Sequence, residues 1–161
     1  MKIRKMRNDD LLAVAKVHEA AFPRQLLSEA WVTCNFNAYP RIRYFVAENQ
    51  GVIFGYVQWT EKSGFRKEVV LELEQIGVLP SNQNQGIGSL LISQSLKMIK
   101  DELNLREASI KSILVSTRTD NEAQKLYKKT LHAKPEIVIP NLFSADEVLM
   151  IARNPVIESN P

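Results

Sequence analysis

The chain has 161 residues, with 21 Lys+Arg against 18 Asp+Glu and a formal net charge of +3. Apolar residues make up 45% and charged residues 24%, the balance of a globular protein of one-domain size, which excludes disordered and fibrous classes. A single cysteine, Cys34, excludes a disulfide scaffold, and no apolar run approaches the ~18 residues of a membrane span.

The first seven residues are basic but have no apolar core behind them. They do not read as a secretory leader, so a cytoplasmic location without membrane attachment is expected. Charges of both signs alternate along most of the chain, and nucleic acid is not an expected partner.

Residues 2–7 alternate weakly and read as a first strand. Asn8-Asp9-Asp10 is a helix start signal. Leu11, Val14, Ala15, His18 and Phe22 then fall on one helical face until Pro23. A second helix is expected from Ser28 through Trp31 towards Phe36, stopped by Pro40. Residues 44–48 and 52–60 read as paired strands around the Asn49-Gln50-Gly51 turn. Residues 68–78 form a long alternating strand, with Val69, Leu71 and Leu73 on one side and Glu68, Glu72 and Glu74 on the other. After a polar loop, residues 88–104 carry the helical stripe Ile92, Leu96, Ile99, Leu103. Residues 110–116 read as a strand. Asp120 is expected to cap a helix with Ala123, Leu126, Tyr127 and Leu131 inward. Residues 136–139 and 148–152 are the last strands. This order predicts an α/β (α+β) fold, a mixed sheet with helices on both faces and a central parallel β-α-β crossover. One domain over residues 1–154 and a frayed tail over 155–161 are expected.

The segment Val78-Leu-Pro-Ser-Asn-Gln-Asn-Gln-Gly-Ile-Gly-Ser89 carries the chemistry. A strand ends, a polar loop turns, and a helix begins at two glycines. Amides at a helix start point outward with partial positive charge, and glycine allows close approach. The loop alone fits a phosphate or pyrophosphate site, and it fits equally a plain strand-to-helix turn. A P-loop requires Gly-Lys-Ser/Thr, but Ser89 follows Gly88 directly. A dinucleotide fingerprint requires three glycines directly after the strand, but Leu91 stands at the third position.

Gln83-Asn-Gln-Gly86-Ile-Gly88 matches the Q/R-x-x-G-x-G/A signature of the GNAT superfamily of acyl-CoA-dependent N-acetyltransferases. Leu73-Glu-Gln-Ile-Gly-Val-Leu-Pro80 resembles that family's fourth strand. Thr119-Asp-Asn-Glu-Ala-Gln-Lys-Leu-Tyr-Lys-Lys129 resembles its second motif, and the hairpin over residues 44–57 its second and third strands. Two departures stand out. Asp120 occupies the family's usual Asn position with Asn121 one residue later, and Leu131-His-Ala133 replaces the usual Gly-Phe.

The resemblance implies a GNAT-like, mostly antiparallel seven-stranded sheet and direct acetyl transfer from acetyl-CoA to a primary amine within a ternary complex. No metal is implied. The amides of Gln83, Asn84, Gln85, Gly86, Ile87, Gly88 and Ser89 would hold the pyrophosphate. Ile76, Gly77 and Val78 would run beside the pantetheine like an added strand, with Asn121 also near the cofactor. Gln83 fits either ligand contact or loop shaping. An ammonium must lose a proton before it attacks, which asks for a base. Glu72, eleven residues before Gln83, has the offset of the catalytic glutamate in the histone-modifying branch, and Glu74 is the second candidate. Tyr127 falls on the Leu-Tyr position whose hydroxyl points at the CoA sulfur, so it would act as the acid; packing alone is the competing role.

Other conspicuous residues read more plainly. His18 is expected to pack or line a groove, and His132 to follow a helix end. Lys125, Lys128, Lys129 and Lys134 read as a solvated face, and Cys34 has no partner for nucleophilic chemistry. No cluster has metal-ligand spacing. The acceptor is a small-molecule, peptide or protein amine. Residues 23–43 and 140–146 should wall its site, with Arg24, Glu29, Trp31, Arg41, Arg43 and Phe143 as candidates. A monomer or homodimer is expected. The alternatives are a non-catalytic acyl-CoA-binding sensor or regulatory module, and a nucleotide-binding protein using the same loop.

Overall fold

In the computed structural model, which describes residues 1–157, the elements are β1 (Lys2–Lys5), α1 (Leu11–Ala21), α2 (Ser28–Phe36), β2 (Ile42–Asn49), β3 (Val52–Glu61), β4 (Glu68–Val78), α3 (Ile87–Asn104), β5 (Ser109–Arg118), α4 (Ala123–Leu131), β6 (Lys134–Ile139) and β7 (Glu147–Arg153). Short 3-10 turns at Asn8–Asp10 and Pro80–Asn82 precede α1 and α3. The seven strands are ordered β1-β2-β3-β4-β5-β7-β6. The pair β4–β5 is parallel, whereas β1–β2, β2–β3, β5–β7 and β6–β7 are antiparallel. The expected mixed, mostly antiparallel seven-stranded sheet is present. Residues 158–161 of the expected frayed tail lie outside the described residues. Within its described part, the Lys100 ammonium donates to the Ile157 carbonyl at 3.0 Å.

The chain forms two compact units. The first comprises residues 1–60 and 75–96: β1 to β3, the end of β4, α1, α2 and the start of α3. Period-two alternation gives its sheet two apolar faces. Tyr44, Val46 and Tyr56 share one face and pack with Val14 and Val17 of α1 and Val32 of α2. Trp59 lies on the opposite face, and its indole N–H donates to the Ser95 hydroxyl of α3 at 2.8 Å. Arg4 ties β1 down by donating to both oxygens of Asp10, at 2.6 and 2.9 Å, and to Glu48 at 2.6 Å. That guanidinium holds the Asp10 carboxyl below the usual carboxylate range.

The second unit comprises residues 61–74 and those from 97 onward. Its parallel register pairs Glu68–Glu72 of β4 with residues 109–114 of β5. Leu71, Ile113, Val115 and Met150 form its buried face. The α3 stripe is buried as the 3.6-residue spacing predicts, with Ile92 and Leu96 in the first unit and Ile99 and Leu103 in the second.

One expected cap is corrected. Asp120 does not cap α4, because the Arg118 guanidinium takes both of its oxygens, at 2.9 and 2.7 Å. Asn121 does so instead: its Oδ1 accepts from the Ala123 amide at 2.9 Å, and its Nδ2 donates to the Thr117 hydroxyl at 2.9 Å.

Candidate active site

The loop between β4 and α3 is built around two left-handed residues, Asn84 (φ 60°) and Gly86 (φ 80°). Such alternation turns successive amides toward a common point, an anion-binding concavity. The loop is fastened from within. The Gln83 side-chain amide donates to the Val78 carbonyl at 3.1 Å, and that of Gln85 to the Ser81 carbonyl at 3.4 Å. Gln83 therefore shapes the loop with its side-chain nitrogen. The first α3 turn closes where the Leu90 amide meets the Gly86 carbonyl at 3.1 Å. Among the described residues, the amides of residues 84–89 find no protein acceptor. A Cβ placed on Gly86 would meet nothing within 4 Å. The protein thus leaves room on that side of the loop, and the left-handed φ keeps it free of a side chain.

Upstream of the loop, β4 lies between β3 and β5 in the sheet. Its ladder with β5 ends at Glu72, while the Leu79 amide bonds the Phe54 carbonyl of β3 at 2.9 Å. Residues 76–78 lie beyond the last β5-paired residue, so an extended ligand could bond that edge. Gly77 is required there by packing: a Cβ would stand 2.8 Å from a Tyr56 ring carbon.

Glu72 lies beside Leu114 and, across β5, Ile151 on one half-buried face of the second unit. The Lys62 ammonium donates to its carboxylate at 2.6 Å. Glu74 is exposed. Tyr127 stands on the inward side of α4 with its ring buried. Burial pushes its phenol up to about 12, so it stays protonated at neutral pH. Its hydroxyl makes no hydrogen bond among the described residues.

Sequence reasoning missed a polar network in the first unit. His18 is fully buried. Its Nδ1 lies 2.9 Å from the Ser28 hydroxyl and its Nε2 lies 2.9 Å from Gln25 Oε1. Gln25 Oε1 also accepts from Gln75 Nε2 at 2.9 Å. Gln75 Oε1 accepts from the Trp31 indole at 3.0 Å and the Tyr56 hydroxyl at 3.1 Å. The network joins α1, α2, β3 and β4 directly before Ile76. His18 was legible as a packed residue, but its partners were not, because no local period links positions 18, 25 and 75. Burial lowers the His18 pKa.

The acceptor-wall residues divide. Trp31 faces Gln75, and Phe143 is exposed. Arg43 is only 5% exposed and cannot line a surface site, because its strand lies within the sheet between β1 and β3. Lys125, Lys128, Lys129 and Lys134 are exposed as expected. Cys34 is exposed. Among the described residues no helix is long and apolar enough to cross a membrane.

A family model described as an acetyltransferase (GNAT) domain matches residues 40–130. That span includes β4, the loop, α3, β5 and most of α4. No curated protein matches the chain. Among solved structures, the ribosomal-protein-S18-alanine N-acetyltransferase from Escherichia coli superposes with a TM-score of 0.71 at 20% identity, covering 99% of this chain and 96% of its own. An aminoglycoside 6'-N-acetyltransferase complexed with coenzyme A gives 0.72 at 15% identity, covering 100% and 99%. A spermidine N-acetyltransferase variant from Vibrio cholerae gives 0.71 at 18% identity, covering 95% of each chain. At these identities the likeness is one of fold.

Proposed function

We propose that this chain, which belongs to the GNAT acetyltransferase family, transfers the acetyl group of acetyl-CoA to a primary amine. The observation that carries the reading is the run of unpartnered amides over residues 84–89, with left-handed turns at Asn84 and Gly86. A pyrophosphate fits that donor set: its oxygens need several N–H groups and a partial positive charge, and the start of α3 offers both.

When bound, acetyl-CoA supplies an activated thioester. The chain's own residues do the rest. Gln83 and Gln85 hold the loop in shape, and the amides from Asn84 to Ser89 bind phosphate oxygens. The edge at Ile76, Gly77 and Val78 bonds the pantetheine amides. Asn121 fixes the start of α4, the helix that carries Tyr127. Glu72 Oε accepts the proton that the acceptor ammonium must lose, with Glu74 as the alternative carboxylate. Its ion pair with Lys62 must loosen for that step. As the new C–N bond forms and the C–S bond breaks, the Tyr127 hydroxyl gives its proton to the departing sulfur.

Binding is tested by thermal unfolding. A ligand held only by the native state stabilises it by about 2.7 kcal/mol at a hundredfold excess over Kd, so acetyl-CoA should raise the wild-type Tm. Gly86→Asp places a carboxylate and a strained φ where the phosphates belong, and should abolish the rise. An undiminished rise in folded Gly86→Asp protein would remove the loop from the site.

A further inference from the structure

We propose that Gln25 selects the acceptor: it favours primary amines carrying a carbonyl or carboxylate oxygen close to the amino group over polyamines, whose polar groups are all cationic. The proposal rests on the acetyl-transfer reading and names the substrate class of that same site.

Trp31 fixes the first bond of the network. An indole N–H can only donate, and it lies 3.0 Å from Gln75. The group it meets must therefore be Gln75 Oε1, which fixes the orientation of that amide. Gln75 Nε2 then points at Gln25, 2.9 Å away, and requires an acceptor there. That acceptor is Gln25 Oε1, so the Gln25 amide is fixed too. His18 Nε2, 2.9 Å from the same oxygen, must carry a proton. The neutral ring then accepts at Nδ1 from the Ser28 hydroxyl, 2.9 Å away. The lowered His18 pKa agrees with a neutral ring. One donor-only group thus sets the polarity of every bond in the chain from Trp31 to Ser28.

The consequence appears at the far side of Gln25. Its oxygen is fully used by two donors. Its NH2 group makes no hydrogen bond among the described residues, and the residue is exposed. Gln25 cannot turn over to offer an oxygen without setting NH2 against two N–H donors. It presents donors only. Gln75, to which it is bonded, directly precedes the Ile76–Val78 edge assigned to the pantetheine. An acceptor molecule reaching that edge passes an NH2 group that rewards an oxygen and repels a cation. The neighbouring Leu26 and Leu27 are 83% and 79% exposed, and Glu19 and Glu29 line the same groove, so the preference against a polycation rests on the NH2 group itself. Sites built to hydrogen-bond a substrate group discriminate strongly against analogues that lack it.

The test compares kcat/KM for alaninamide, isopropylamine and spermidine, using full-length protein and acetyl-CoA. Alaninamide and isopropylamine differ by a carboxamide against a methyl. In Gln25→Leu the alaninamide-to-isopropylamine ratio should fall about tenfold or more from its wild-type value, an order of magnitude expected for one discriminating hydrogen bond. Gln25→Glu presents oxygens instead and should move preference toward spermidine. Trp31→Phe keeps the ring but frees the amide polarity, and should lower the same ratio although Gln25 is intact. A merely structural role for Trp31 would leave that ratio unmoved. An unchanged ratio in Gln25→Leu and Trp31→Phe proteins that keep Tm and acetyl-CoA affinity overturns the proposal. A wild type that binds acetyl-CoA and acetylates other primary amines but none of these three overturns this proposal alone, and one that acetylates no amine overturns the transfer reading with it.

Discussion

Tyr127 meets the requirement for a proton donor at one atom. Its ring is buried and its hydroxyl has no hydrogen-bond partner among the described residues. A pKa of about 12 keeps the phenol protonated at neutral pH, so the proton is in place to be passed to the departing sulfur. Tyr127→Phe retains the ring and deletes only the donor. The expected result is an unchanged Tm, unchanged acetyl-CoA affinity and a kcat lower by about tenfold or more. Wild-type kcat in that variant would leave sulfur protonation to water. At the same scale, sequence pattern went as far as residue type and spacing. The Leu-Tyr pair and the glutamate eleven residues before Gln83 could be read directly. The Lys62 partner of Glu72 could not, because it comes from ten residues upstream, across a turn.

Elements were the most legible part of the chain, for a physical reason. β4 alternates along residues 68–73 because one face is buried, and α3 shows its stripe because one side packs. Their bounds followed to within a residue or so. The start of α4 did not, because two adjacent residues can each accept from a helix amide. Arg118 decides between them by engaging Asp120 and leaving Asn121 to cap. The helices α1 and α2 fall where expected, but what holds the segment that joins them was not legible. It is held by side chains from positions 18, 25, 28, 31 and 75, which have no common period. That network makes a prediction about α1 and α2. Burial lowers the His18 pKa below its ordinary value near 6.5, so the folded state prefers the neutral ring. Below about pH 6.5 the unfolded chain takes up a proton that the folded chain resists. This stabilisation is therefore complete above pH 6.5 and declines as pH falls through it. Wild-type Tm should drop between pH 7.5 and 5.5, and His18→Gln should flatten that part of the profile. Equal slopes in the two proteins would place the pH dependence elsewhere.

On the scale of the whole molecule, the proposed reading assigns cofactor binding and proton movement to different residues. The loop and the 76–78 edge bind, and Glu72 and Tyr127 move protons. Binding and transfer should therefore separate by mutation, with Gly86→Asp losing affinity and Glu72→Gln keeping it. The most direct measurement of acetyl transfer follows free CoA thiol and N-acetyl product together, for wild type and Glu72→Gln, over a panel of primary amines and a range of pH. Wild type is expected to release one thiol per acetylated amine. Glu72→Gln should bind acetyl-CoA as tightly and turn over ~10²–10⁴-fold more slowly, the range for loss of a general base, with the deficit largest at low pH, where the amine is most fully protonated. A wild-type protein that binds acetyl-CoA but releases no thiol above background with any amine would contradict the transfer reading and make the chain an acyl-CoA-binding module.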